Sequence, residues 1–288
     1  MTKSSPAFGA GAAFVLAGAL GLVFWRTFAD LVSDWLEDAN YSHGFLVVPA
    51  AIWLVWDRRD SLRQLPLAPS NAGFAVVLGG LLVLLTGVIG ADRFLTEAAL
   101  PIVVAGSVLF LGGPRLLREV AFPIAFLCLM IPLPAVVFNQ IAFPLQLLAS
   151  RLGVAGLQQL GTPVFREGNV IVLPQMTLEV AEACSGIRSL VALAAFALLY
   201  GRTCGATHLR RALLLLSVVP LAIAVNAVRV MCSALAADRW GPEAVEGLLH
   251  SFSGWALFGV SILILVMADT IVTRLQSRPS LPAGAATV

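Results

Sequence analysis

Apolar residues in this chain come in long runs, with little of the strict alternation of a half-buried strand. Eight runs approach the roughly 20 residues that carry a helix across a bilayer. They cover 7–25, 43–56, 72–91, 98–112, 120–138, 187–201, 212–232 and 255–272, and those at 43–56, 98–112 and 187–201 are short. The pattern predicts an all-α polytopic membrane protein with about eight transmembrane helices, organised as one membrane domain over 1–288. The first run follows "MTKSSP", with a single lysine, and exceeds the usual h-region of a cleaved signal, so it reads as an anchor. About 16 residues follow the last run, and no soluble C-terminal domain is expected.

Segment 139–183 breaks this rhythm. Its first part, "NQIAFPLQLLASRLGVAGLQQLG", mixes Leu and Ile with four Gln, an Arg and a Ser, which suits a helix lying in the membrane interface. Then "PVFREGNVIVL" predicts two short strands around Gly168-Asn169, with "TLEV" as a third.

Composition fixes the solvent. Hydrophobic residues make up 59% of the 288, charged residues 12%, and the mean hydropathy is +0.93, which excludes a water-soluble domain of this size. A net charge of +2, spread along the chain, gives no reason to expect a nucleic-acid partner. Lys and Arg in short loops favour the cytoplasmic side. With both termini inside, 11 of the 18 basic residues fall in cytoplasmic segments: Lys3, Arg58, Arg59, Arg63, Arg115, Arg118, Arg202, Arg210, Arg211, Arg274 and Arg278. Segment 139–183 is then extracytoplasmic.

That orientation decides which chemistry can meet. The helix after "EACSG" starts at the outer face, so Cys184 sits beside its N-terminus, where unpaired N–H groups favour a thiolate. Arg188, four residues on, lies on the same face and acts in the same direction. Arg229 in "NAVRV" is 17 residues beyond Ala212, about 25 Å along a helix, and so just under the outer boundary; Asn226 is one turn deeper. His250 in "EGLLHSFSGW" precedes the last span at the same face. His208 lies on the cytoplasmic side, while His43 is at the outer start of the second run. A Cys, a His and an Arg suffice for acyl transfer at a peptide carbonyl. The thiolate attacks, the imidazolium protonates the departing amine, and the guanidinium holds charge on the oxygen or the sulfur.

Four stretches together resemble the exosortase/archaeosortase family of membrane protein-sorting enzymes. They are "NYSHGFLVVP" at 40–49, "EACSGIRSL" with Glu182, Cys184, Ser185, Gly186 and Arg188, "NAVRV" with Asn226 and Arg229, and "HSFSG" with His250 and Gly254. The resemblance runs from about residue 30 to 272. It implies a cysteine protease or transpeptidase of the bacterial inner membrane, multi-pass, with its active site on the extracytoplasmic face. Its clients carry a C-terminal sorting signal, usually a Pro-Glu-Pro (PEP) motif, one transmembrane helix and basic residues. It also implies a Cys thioester intermediate, resolved by water or by a lipid or glycan acceptor, and a link to exopolysaccharide systems. Carried over residue by residue, the nucleophile is Cys184, the arginine Arg229 and the histidine His250. Arg188, Glu182, Ser185, Asn226, His43 and Tyr41 are expected to support the site or touch the client.

Each residue has a plainer rival reading. Cys184 and Cys232, both near the outer face, are also a disulfide candidate pair, and Arg229 and Arg188 suit snorkelling to headgroups. His250, His43 and Tyr41 suit an interface on their own account. Glu179 and Glu182 read as partners for the arginines. The cysteines show no metal spacing, and no cofactor is expected. The competing functions are a multi-span transporter, whose polar residues would gather at the midplane, and a non-catalytic scaffold in exopolysaccharide assembly.

Overall fold

The computed structural model describes residues 6–174, 176–180, 185–241 and 248–276. The chain divides into two compact units, 1–138 and 139–288.

In the first unit, α1 (Pro6–Val23) meets α2 (Trp25–Glu37) at a bend of 65°. α2 buries Thr27, Leu31 and Trp35, spaced by four and therefore on one face, while Asp30 and Asp34 lie on another. α3 (Gly44–Asp57), α4 (Arg59–Arg63), α5 (Ala72–Ile89) and α6 (Arg93–Leu127) follow. α5 packs on α6 through a buried stripe of Gly73, Gly80 and Gly87. A Cβ at these positions would lie 2.2 Å from the Phe110 nitrogen, 2.7 Å from Val103 Cγ2 and 2.7 Å from the Thr96 nitrogen. Seven-residue spacing repeats nearly every two turns, so one line of glycines lets the backbones touch. Such contact stabilises helix pairs in lipid, where the hydrophobic effect between them is absent.

α6 is a hairpin. Its helical path is broken at Gly113 (φ 87°, ψ −179°), followed by Pro114. Arg93, at its start, bonds Asp34 at 2.5 Å, whereas Met130, just beyond its end, accepts from the neighbouring Trp35 indole at 2.9 Å. A straight helix over that length would separate the two points by about 55 Å. Both ends therefore return to the same turn of α2. The predicted spans 98–112 and 120–138 fall on the two arms, with one correction. The second arm ends in a 3-10 turn at Cys128–Met130, because Pro132 and Pro134 cannot continue it.

α7 (Ala135–Gln159) then forms one helix of 25 residues. The sequence predicts a span ending at 138 followed by a separate interfacial helix. The single α7 is instead long and apolar enough to cross a membrane. By length and composition five helical segments meet that criterion, six if the bent α1–α2 pair counts as one span. α3, at 14 residues, and α8 (Ile187–Thr203), at 17, fall short of it.

In the second unit, β1 (Phe165–Glu167), β2 (Val170–Val172) and β3 (Thr177–Glu179) form an antiparallel sheet in sequence order, turning at Gly168 (φ +61°). The three strands stand where the alternation and the Gly-Asn turn predict them. Ile171, Leu173 and Val180 pack against Ala149, Val154 and Leu157 of α7 and against Val230 and Ala234 of α9 (His208–Trp240). Buried Ser150 of α7 donates to the Gly168 carbonyl at 3.1 Å, fixing the hairpin turn to the helix. A second core joins Leu193 and Ala197 of α8, Leu214, Val218 and Ala222 of α9, and Leu265 of α10 (Leu248–Gln276).

Candidate functional site

α8 and α9 form an antiparallel pair whose register is set at both ends. Near the connection, Arg211 donates to the Gly201 carbonyl at 3.0 Å. At the far end, Gly186 faces Asn226. A Cβ on Gly186 would lie 3.0 Å from Asn226 Cγ, 3.1 Å from its Cβ and 3.2 Å from Nδ2. Each pair of numbers sums to 412, so the alignment holds over the whole of α8. Gly186 is the N-cap of α8 with φ +81°, a conformation open to glycine and strained for other residues. Ser185 beside it is 3% exposed, and its Oγ accepts from the Ile187 amide at 3.3 Å. Asn226 is 4% exposed and belongs to the buried stripe Leu214, Val218, Ala222, Asn226, Val230 and Ala234. Arg229, one turn beyond Asn226, is half-buried, as is Arg188 in the first turn of α8.

α7 closes on the same part of α9. A Cβ at Gly153 would meet Val230 Cγ1 at 2.9 Å, and one at Gly156 would meet Met231 Sδ at 2.6 Å. The α9 turn carrying Arg229 is thus held between α7 and the start of α8.

α10 is aligned by a polar clamp at the opposite end. Arg210 of α9 donates Nε to Asp269 Oδ1 at 2.7 Å and bonds Oδ2 with its other arm, while the Tyr200 hydroxyl of α8 donates to Oδ2 at 2.9 Å. The Asp269 side chain is 2% exposed. From Arg210, 19 residues of α9 lead to Arg229; from Asp269, 19 residues of α10 lead back to position 250. Both are about 28 Å of helix. Leu214 and Leu265, in the common core, keep the same register. α10 is already helical at His250, which lies ahead of the apolar span Gly254–Leu275, as the sequence predicts.

Cys184 and Glu182 lie outside the described residues. Cys128, Cys204 and Cys232 are free thiols. Glu179 accepts from Asn169 Nδ2 at 3.3 Å. His43 and Tyr41 belong to the first unit. There the His43 Nε2 bonds the Leu129 carbonyl at 2.9 Å, and the Tyr41 ring lies 6.1 Å from that of Phe138. Gly44 explains part of this motif, since a Cβ would stand 2.3 Å from the Trp35 indole nitrogen. "NYSHG" therefore ties α2 and α3 to the end of the α6 hairpin. The structure joins Gly186 and Asn226 directly, with Ser185 adjacent in the chain and Arg188 and Arg229 each within a turn of the contact. Among the described residues, no three His, Cys, Asp or Glu side chains gather as a metal site.

Two participants escape a sequence reading. Gly186 has no side-chain chemistry to mark it, although a glycine just before a helical run signals a special backbone turn. The clamp residues carry no local signal at all, because Arg210 and Asp269 are 59 positions apart.

A family model described as transmembrane exosortase matches residues 35–267. No similar curated protein and no similar solved structure was found.

Proposed function

The chain belongs to the transmembrane exosortase family, and on that premise we propose that it is a membrane cysteine transpeptidase that cleaves the C-terminal sorting signal of exported proteins. The observation that carries the reading is the seat of Gly186 against Asn226, one turn from Arg229. Cys184 is two residues before Gly186, so chain connectivity keeps its Cα within about 7 Å of that glycine. In this reading the nucleophile lies close to the turn of α9 that carries Arg229, and His250 comes from the first turn of α10.

In this reading the Cys184 thiolate attacks the client carbonyl carbon and the C–N bond breaks. His250, protonated, gives its proton to the departing amine, and Arg229 stabilises the oxyanion of the tetrahedral intermediate. A thioester to the client remains. A nucleophile with a transferable proton, on a lipid or a glycan, or water, attacks it and restores the thiol. The signal helix of the client approaches through the bilayer, and the site faces the extracytoplasmic side of a bacterial inner membrane.

The test uses a reporter protein ending in a Pro-Glu-Pro motif, an apolar helix and basic residues. Cys184→Ala and Cys184→Ser are expected to insert normally and to lose processing by on the order of a millionfold, since a serine hydroxyl stays protonated without a strong base. Substantial cleavage by either variant removes the nucleophile assignment. Cys232→Ser is expected to process at the normal rate.

A further inference from the structure

We infer that Gly186 and Asn226 are positioning residues, a spacer that sets the distance between the start of α8, to which Cys184 is joined, and the α9 turn of Arg229. The inference rests on the proposed cysteine chemistry and adds to it a specific contact that tunes the chemistry without touching the client.

Four observations support it. The contact is at its limit, because any side chain at position 186 would press into Asn226 at 3.0–3.2 Å. Gly186 is held in the left-handed region at φ +81° and starts α8, with Leu190 donating to its carbonyl at 2.9 Å. The cap therefore moves with the helix as one piece. Asn226 has no room to withdraw, being 4% exposed and flanked along its stripe by buried Ala222 and Val230. Finally, α7 presses on the next turn of α9 through Gly153 and Gly156, so Arg229 cannot follow if α8 is pushed away. A change of side-chain length at either partner must then appear as a change in the separation of the start of α8 from Arg229. Displacing a reacting group by about 1 Å costs on the order of a hundredfold in rate.

Asparagine suits this place for two reasons. It is short enough to fit beneath a backbone turn, and its amide presents both donors and an acceptor to surrounding polar groups. Glutamine carries the same amide one methylene further out. Alanine removes the amide and opens the space.

The experiment compares Gly186→Ala, Asn226→Gln, Asn226→Ala and the double Gly186→Ala/Asn226→Ala in the full-length membrane protein, with the reporter as substrate and Cys184→Ala as reference. Gly186→Ala and Asn226→Gln are expected to insert, to co-purify with the reporter and to keep KM, while kcat falls on the order of a hundredfold. The double variant is expected to turn over faster than Gly186→Ala alone, because shortening residue 226 gives the new methyl its space. A purely structural role would lower the amount of folded protein without splitting kcat from KM and without this rescue. Wild-type kcat in Asn226→Gln overturns the spacer, and this variant decides the matter if Gly186→Ala does not insert. Cleavage by Cys184→Ala in the same assay would instead overturn the reading on which the spacer rests.

Discussion

The group formed by α8, α9 and α10 carries polar residues at both ends, and the two ends are built in opposite ways. At one end Asp269 takes hydrogen bonds from Arg210 and Tyr200, so three helices spend their polar groups on one another. At the other, the close contact is between a backbone turn and a side chain, Gly186 on Asn226, and the ionisable groups Arg188 and Arg229 stand one turn away on either side. A charge inside an apolar helix is often read as a functional mark. The clamp shows why that reading needs the partners: a carboxylate bonded from two other helices fixes register. The two ends are also linked through α9, which carries both Arg210 and Arg229.

The sharpest way to break this contrast is to open the clamp. Asp269→Ala leaves the half-buried Arg210 and Tyr200 without their acceptor; breaking a buried ion pair typically costs about 3–5 kcal/mol, and the 29% exposure of the Arg210 side chain puts the cost here near the lower figure. Loss of stability of that size is expected in chemical unfolding of the detergent-solubilised protein. The double variant Arg210→Met/Asp269→Leu removes both charges and is expected to recover most of it. Wild-type stability in Asp269→Ala would make the clamp a bystander.

At the other end the expected effect is on rate. If Arg229 holds an oxyanion or the thiolate, its planar fork of donors matters and a lysine presents a point charge with different reach. Arg229→Lys is expected to be as stable as the wild type and to bind the reporter equally well. Its turnover should fall by roughly a hundred- to thousandfold, equivalent to about 2.7–4 kcal/mol. Near-normal turnover would show that a snorkelling cation suffices there, and the two ends would then differ only in geometry. Arg188 would become the next candidate for the cation beside Cys184.

The sequence made the helices legible where apolar runs were long and uninterrupted, as for α5, α9 and α10, although α9 runs on to Trp240, well past the predicted limit at 232. It made the sheet legible too, because Gly168-Asn169 between alternating residues is a turn signal that needs no tertiary help. It misplaced the boundary between the second arm of α6 and α7, since the prolines at 132 and 134 stand within a run apolar enough to read as continuous. The site motifs were visible as residue types in order. Their contact was not, because the meeting of Gly186 and Asn226 depends on the register of α8 against α9, which Arg211 and Gly201 help set from the other end. Asp269 and Tyr200 are illegible in the sequence for the same reason. A single Asp or Tyr in an apolar helix acquires meaning only from a partner many turns away in sequence.

The smallest expected effect also separates the two ends most cleanly. Tyr200→Phe deletes one hydroxyl and leaves the ring, which stacks on Phe196 at 5.8 Å between centroids and an interplanar angle of 13°. Asp269 keeps both arms of Arg210, so the clamp stays closed and the 19-residue register on each side is preserved. A hydrogen bond to a charged group contributes about 1.5–3 kcal/mol, and the half-buried position of Tyr200 puts its loss near the lower figure, because water can replace part of the bond. Stability is therefore expected to drop by about 1.5 kcal/mol in the same unfolding measurement. Reporter turnover should match the wild type, since no atom near Asn226 or Arg229 is displaced. A fall in kcat with unchanged KM would mean that the hydroxyl itself sets the tilt of α8, and that the clamp reaches the chemistry through more than register.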